Sequence, residues 1–349
     1  MRKGLAVDKI KYDKKEKRTG FLDPREGFQR KEVVFEVRKD FLTDHTARIV
    51  PFRGRKIPES EISKELLEAS KKGCPFCPDQ LLSLTPRLIP EISSEGRLHR
   101  GKACLFPNAY PYVQNNWVIV LSEDHDLPLH QFTIEMLRDG FLLAQDGIEE
   151  VIRCQPEFKY GSINWNYLPS SGAGIFHPHL QVAIEDDPTS SHQKVLEGLK
   201  RYQTGGESFF WEDYLSEEMG KGERYIGNRG NVYFLSAYSP RGIFGEIIIL
   251  FPNRSTLHNI SEEDWLNFCE GMIKIFGYLT GKRIFSFNLS LFSGNSEGIE
   301  SWVYGRLCPR MIIPPWNTSD INYFEKLHNE VICVIPPEEL CKELKPSFV

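Results

Sequence analysis

No apolar run in this chain approaches the ~20 residues that a membrane-spanning helix requires, so no membrane span is expected. The first residues carry charge where a signal peptide would need an apolar stretch, and a cytoplasmic location is the expectation. Low-complexity tracts are missing. So is a large excess of charge of either sign: the formal net charge is −5, which argues against a general polyanion binder. Lys and Arg do gather at the start (Arg2, Lys3, Lys9, Lys11, Lys14, Lys15, Lys17, Arg18), but Asp8, Asp13 and Glu16 are interleaved among them. That segment reads as a solvated tail and not as a nucleic-acid arm. A disulfide framework is absent too. Of eight cysteines, six are scattered singly, several inside apolar runs where Cys acts as a small hydrophobe.

What is present is a repeat. Strand-like runs at EVVFEV (from Glu32), ARIVPF, ACLFPN and NWVIVLS lead to a helix of period near 3.6 from about Thr133 to Cys154. ESEISKELLEASKKG, ahead of the cysteine motif, is helix-like, with Gly73 as its stop. YGSINWNYL, a Ser/Gly loop and FHPHLQVAI follow the long helix. The second half repeats that order with NVYFLSAY, GEIIILFPN, a helix after LHNISEEDWLNF, then IFSFNLSLF and WVYGRLCPRMII. Leu129-His130 and Leu257-His258 match at one constant spacing. A repeat this long means a duplicated domain. The expected fold class is α+β: two duplicated halves, each an antiparallel sheet with packed helices. The expected bounds are an extension over 1–30, a first half over 31–195 and a second over 205–349, hinged at TSSHQKVLEGLKRYQTGGES, where turn residues and charge replace the strand pattern.

Only Cys74 and Cys77 form a cysteine motif, in KKGCPFCPDQ. A Cys-x-x-Cys can be a zinc half-site, a redox pair or an accident, and the strand-then-helix setting of a redox pair is missing here. The other half-site can come from His125, in the loop SEDHD after an apolar strand, and from His177 in FHPHLQ. Together they make a Cys2His2 set for one structural zinc ion.

His179 lies two residues beyond His177. In an extended strand His177, His179 and Gln181 share one face. A neutral imidazole is a competent nucleophile near pH 7, and its attack on an α-phosphorus gives a phosphoramidate that a second phosphate can displace. Gln181 can donate to a phosphoryl oxygen without adding net charge. The preceding NYLPSSGAG loop offers backbone N–H groups to an anion, a weak signal alone that gains weight directly before H-x-H-x-Q.

CPFC, FPNAYPYV, SEDHD and N-x5-GAG-x-x-HPHLQ, in that order, resemble galactose-1-phosphate uridylyltransferase and its relatives in the histidine-triad superfamily, from about residue 30 onward. The resemblance implies that Cys74, Cys77, His125 and His177 hold a structural zinc ion and that His179 becomes nucleotidylated. It implies that Gln181 meets the transferred phosphate, that Asn108 and Asn166 contact the nucleoside, and that Gly172 and Gly174 form the phosphate loop. Arg53 resembles an early basic residue of the family, although Lys56-Ile57-Pro58 departs from the rest of that motif, and Leu180 stands where the family has Gly. In the second half the family's H-x-H before a Pro is Tyr304-Gly305-Arg306-Leu307-Cys308-Pro309, so no second metal is expected. Of the hexose-contacting segment only Glu330 is retained. The implied activity is double-displacement transfer of UMP, or AMP, between a nucleoside-diphosphate sugar and a sugar 1-phosphate. Adenylyl relatives such as ADP-glucose phosphorylase or dinucleoside tetraphosphate phosphorylase, a hydrolase, and a non-enzymatic nucleotide-binding protein are the alternatives. A homodimer is implied as well.

Overall fold

The computed structural model describes residues 10–54, 62–206, 209–293, 298–299, 301–313 and 318–349. Lys56, Ile57 and Pro58 lie outside them. The strands are β1 (Asp13–Asp23), β2 (Gln29–Lys39), β3 (Thr46–Ile49), β4 (Leu98–Arg100), β5 (Ala103–Pro107), β6 (Asn115–Val120), β7 (Tyr160–Tyr167), β8 (His179–Glu185), β9 (Tyr225–Arg229), β10 (Val232–Ser236), β11 (Ile247–Phe251), β12 (Ser286–Phe292), β13 (Val303–Arg310), β14 (Ile312–Ile313), β15 (Thr318–Ser319) and β16 (Val331–Cys333). The helices are α1 (Lys64–Lys71), α2 (Pro78–Leu84), α3 (Ile134–Cys154), α4 (Ser190–Thr204), α5 (Phe210–Lys221), α6 (Glu262–Gly281), α7 (Tyr323–His328) and α8 (Pro337–Leu344). Among the described residues no helix is long and apolar enough to cross a membrane.

The duplication is visible in the main sheet, ten strands in the order β4-β5-β6-β8-β7-β12-β13-β11-β10-β9. Each half supplies five antiparallel strands in the same sequence from its outer edge, and the two sets meet where β7 pairs with β12. The long helices α3 and α6 start alike. Thr133 Oγ1 accepts from Met136 N at 3.2 Å, and Ser261 Oγ accepts from Asp264 N at 3.1 Å, at the spacing of the two Leu-His pairs. Leu137, Phe141, Ala144, Ile148 and Val151 form the apolar stripe of α3; Trp265, Phe268, Met272, Ile275, Phe276 and Leu279 form that of α6. The helices cover one sheet face side by side, with Phe141 stacked on Trp265 at 5.3 Å between ring centroids. At Gly147 a Cβ would stand 2.8 Å from Leu105 Cδ1 and 2.9 Å from the Trp117 ring, so α3 approaches the sheet where no side chain intervenes.

Three stretches differ from the reading of the sequence. The stretch expected as a hinge is largely α4: His192, Val195, Leu196 and Leu199 are its buried face, and the charges that suggested a linker are its solvent face. The amino-terminal tail contains β1, which pairs along its whole length with β2. Finally, β3 pairs with β16, so a four-stranded sheet, β1-β2-β3-β16, ties the start of the chain to its end.

Candidate functional site

The sheet face opposite α3 and α6 carries the site. In the first half it is roofed by the segment joining α1 to α2, where Cys74, Phe76 and Cys77 pack on Cys104, Phe106, Val118 and Val120. Cys77 stands at the N-cap position of α2, and Cys74 lies in the tight turn before it, with Cys77 N donating to Cys74 O at 3.3 Å. His125 comes from the loop after β6 and His177 from the residues leading into β8.

These four side chains are buried, and their ligand atoms lie within 4.8 Å of one another. Cys77 Sγ is 3.5 Å from His125 Nδ1 and 3.8 Å from His177 Nδ1; Cys74 Sγ is 3.9 Å from His177 Nδ1. Zinc bonds of ~2.3 Å to sulfur and ~2.0 Å to nitrogen at tetrahedral angles set such S–N edges at about 3.6 Å. The donor set fits a metal ion of that size. The ring tautomers agree. His177 Nε2 donates to the Ser122 carbonyl at 2.8 Å, which leaves its lone pair on Nδ1, facing the sulfurs. Ser70 Oγ donates to Leu67 O at 2.7 Å, so it accepts from His125 Nε2 at 2.9 Å, and Nδ1 again faces inward. Burial pushes His177 down to about 4, and burial with Cys74 alongside pushes the Cys77 thiol up to about 11. A cation held among the four is what would favour the thiolate there.

His179 opens β8, with its ring packed edge-on to Phe76 at 5.1 Å. Its Nδ1 is 2.7 Å from the His177 carbonyl, which can only accept. The hydrogen is therefore on Nδ1 and the lone pair on Nε2. Burial lowers the imidazole pKa, the bond to the carbonyl opposing it, so the neutral ring is favoured. Gln181 lies two residues along the same strand, opposite Val118 on one side and Asn164 on the other.

The glycine loop runs from β7 to His177. Leu168 at φ 69° and Gly172 at φ 96° both take left-handed backbone. A Cβ at Gly172 or Gly174 would meet nothing within 4 Å, so packing within the chain does not demand either glycine. The second half braces this loop. Asn288 of β12 donates Nδ2 to Asn166 Oδ1 at 2.6 Å and to the Ser171 carbonyl at 2.8 Å. Its Oδ1 accepts from Arg310 Nη1 at 2.6 Å, and Asp320 holds that guanidinium through two bonds of 2.8 and 2.7 Å. Ser170 Oγ donates to Ser286 Oγ at 2.6 Å.

The structure thus gathers the four candidate ligands, and beside them His179 and Gln181 on β8, with Asn166 held in the brace of the loop that carries Gly172 and Gly174. Asn108 sits at the base of the β5–β6 loop, where Nδ2 donates to Asn116 Oδ1 at 2.8 Å and Oδ1 accepts from Tyr110 N at 3.0 Å. Arg53 and Glu330 flank strands of the four-stranded sheet. Arg53 is exposed in a one-turn 3-10 helix after β3, and Glu330 accepts from Arg48 Nε at 2.9 Å. Where the family's H-x-H would stand, Tyr304 Oη meets His192 Nδ1 at 2.9 Å and Arg306 pairs with Glu246 at 2.6 Å. Sequence reasoning missed Ser70, Ser122, Asn288 and Arg310. Asn288 alone left a signal, since FSFNLSLF repeats the Ser-x-Asn of GSINWNYL.

Likeness to known proteins bears on the fold. No protein-family model matches the chain. An uncharacterized protein of Archaeoglobus fulgidus is 31% identical over 316 residues, covering 90% of this chain and 92% of its own. An ADP-glucose phosphorylase from Arabidopsis thaliana, solved with bound ADP-glucose, has a TM-score of 0.65 at 16% identity, over 88% of this chain and 98% of its own. A galactose-1-phosphate uridylyltransferase-like protein of the same plant scores 0.67 at 16% identity, over 88% and 98%. A uridylyltransferase mutant scores 0.64 at 15% identity, over 89% and 98%. At such identities the likeness of structures establishes the fold. This chain and the archaeal protein belong to one family, and its fold is that of the ADP-glucose phosphorylase, the galactose-1-phosphate uridylyltransferase-like protein and the uridylyltransferase.

Proposed function

We propose that the protein is a nucleotidyltransferase that works by double displacement through a nucleotidyl-His179 intermediate. The observation that carries this reading is the tautomer of His179: its Nδ1–H is committed to the His177 carbonyl, so the neutral ring keeps its lone pair on Nε2, on the strand that carries Gln181 and directly follows the glycine loop. In the first step that lone pair forms a bond to the α-phosphorus of a nucleoside-diphosphate donor. The bond from phosphorus to the bridging oxygen breaks, and the sugar phosphate leaves with the electron pair. The ring then carries positive charge, and the His177 carbonyl, already bonded to Nδ1–H, stabilises it. A phosphate oxygen of the acceptor attacks in the second step, and Nε2 regains its lone pair.

The loop explains its glycines on this reading. Gly172 is required by its backbone at φ 96°, but Gly174 is needed neither for a left-handed backbone nor to relieve a clash, and an α-phosphate brought close to the backbone N–H groups is what a side chain there would hinder. Gln181 supplies an uncharged donor on the same strand. Cys74, Cys77, His125 and His177 would hold a zinc ion whose four protein ligands leave no open position, so its part is structural. Through His177 it would fix the backbone carbonyl that sets the tautomer of His179.

The acceptor is either a sugar 1-phosphate or inorganic phosphate. The phosphorolytic version is the second reading: Glu330, the retained residue of the hexose-contacting segment, already pairs with Arg48 at 2.9 Å. The ADP-glucose bound to the plant phosphorylase makes adenylyl donors as worthy of trial as uridylyl ones. The test is incubation with UDP-glucose, ADP-glucose and ATP in turn, rapid quench, and intact mass. A gain of one UMP or AMP that disappears in His179→Ala is expected. Absence of adduct and of exchange with every donor would sink the transferase reading.

A further inference from the structure

Gln181 can serve a phosphoryl group only if its carboxamide presents the NH2 side. A glutamine at a half-open surface has freedom about three side-chain bonds, and settling it costs up to ~2 kcal/mol. With Oε1 turned inward it would repel the phosphoryl oxygens it is meant to bind.

One contact decides the orientation. Tyr112 Oη lies 2.8 Å from Gln181 Oε1. The amide oxygen has no hydrogen, so the phenol donates, and Nε2 is directed away from Tyr112. No partner for Nε2 is present among the described residues. The loop bearing Tyr112 is itself fastened to β8. Asn108 N donates to Asn116 O at 2.8 Å, the two side chains are bonded to each other at 2.8 Å, and Asn116 Nδ2 donates to the Val182 carbonyl at 3.1 Å. Within the loop Asn108 Oδ1 accepts from Tyr110 N, and Pro111 restricts the backbone on both sides of itself. A ring of hydrogen bonds therefore leaves β8 at Val182, passes through Asn116 and Asn108, and returns to β8 at Gln181. The Tyr112 side chain is 70% exposed, so packing does not account for its place.

We propose that Tyr112 is a positioning residue for the transfer step: its hydroxyl holds Gln181 Oε1 so that Nε2 faces the phosphoryl group delivered to His179. The proposal rests on the nucleotidyl-His179 reading and assigns Tyr112 no contact with the donor.

Removing the hydroxyl alone tests it, and Tyr112→Phe leaves the exposed ring in place. The readout is the single-turnover rate of nucleotidyl-His179 formation, by rapid quench and intact mass, with whichever of UDP-glucose or ADP-glucose labels the wild type. At saturating donor the rate should fall about tenfold, the loss of one orienting hydrogen bond. The donor concentration giving half the maximal rate should stay within about twofold. In a Gln181→Ala background the same substitution should change nothing further. An unchanged rate in Tyr112→Phe overturns the role, as does an equal loss in both backgrounds. A loss confined to donor affinity would make Tyr112 a donor contact and overturn it too. A wild-type protein that forms no adduct overturns both readings; an adduct formed at a rate indifferent to the hydroxyl overturns only this one.

Discussion

Replacing Asn288 by alanine removes a side chain that contributes nothing to the proposed chemistry directly, yet its loss should slow it. Asn288 makes three side-chain hydrogen bonds, to Asn166 Oδ1 at 2.6 Å, to Ser171 O at 2.8 Å and from Arg310 Nη1 at 2.6 Å. A buried hydrogen bond contributes about 1 kcal/mol net, so three would give ~3 kcal/mol; the residue is half-buried and water can reach some of the freed partners, which lowers the expectation to ~1–2 kcal/mol. That cost appears as a lower urea midpoint at unchanged m. The larger effect falls on the site. Asn288, together with the Ser286–Ser170 bond, ties β12 to the loop that presents Gly172 and Gly174, and a shift of ~1 Å in a positioning element can cost ~100-fold in rate. The rate of adduct formation on His179 should therefore fall by about 10- to 100-fold, more than the stability loss alone would give. If Asn288→Ala loses stability while the adduct forms at the wild-type rate, the second half does not brace the site and the reasoning fails.

Three further outcomes follow from the geometry. The wild-type protein should bind about one zinc per chain; Cys77→Ser or prolonged chelation should empty the site and lower the melting temperature, and a metal content indifferent to Cys77 would refute the Cys2His2 assignment. In Gly198→Ala the new Cβ would stand 2.1 Å from the Leu42 carbonyl oxygen and 2.9 Å from its carbon, backbone atoms that must move with the β2–β3 turn. A loss of about 2–3 kcal/mol in chemical denaturation is expected, and a neutral outcome would show that α4 does not press on that turn. Burial lowers His192 to about 4, so the unfolded chain takes up this proton first as the pH falls below ~6.5. Stability should drop from there towards pH 4 by up to ~3 kcal/mol, and His192→Gln should remove that part of the slope; an identical slope in the variant would mean the imidazole is not held neutral.

How much was readable beforehand depended on how local the cause was. His179 and Gln181 declare themselves because residues two apart on a strand share a face, whereas His177, expected in the same strand, stands in the bend before β8. Cys-x-x-Cys declares itself because a tight turn brings its sulfurs together, and pairing them with His177 and His125 needed only loop ligands. The repeat was legible because Leu129-His130 and Leu257-His258 keep one spacing and the same order of strands and long helix runs through both halves. What escaped depended on contacts between distant segments. Nothing local marks Arg310 as the partner of Asn288, or β16 as the neighbour of β3. The helix α4 was misread for a different reason: its buried face is narrow, His192 is part of it, and its many charged residues outweigh Val195, Leu196 and Leu199 when the stretch is judged by composition.

The second half keeps the architecture of the first without the groups of the proposed chemistry, as the ladder shows. His179 lies opposite Val120; at the spacing of the Leu-His pairs Val120 corresponds to Ile248, whose partner in the ladder is Arg306. At the position of the proposed nucleophile the second half thus has a guanidinium, paired with the buried Glu246 at 2.6 Å, and a guanidinium is always protonated and offers no lone pair for attack on phosphorus. Removing the second half would still destroy the site. One half alone would expose β7 as a long edge of unpaired backbone groups, whereas the pairing of Phe287 with Tyr167 and of Leu289 with Trp165 closes that edge and sets Asn288 against Asn166. On the proposed reading the reacting groups come from the first half, and the second holds Asn166 and the Ser171 carbonyl through Asn288, so a chain cut between them would not report on the activity of either.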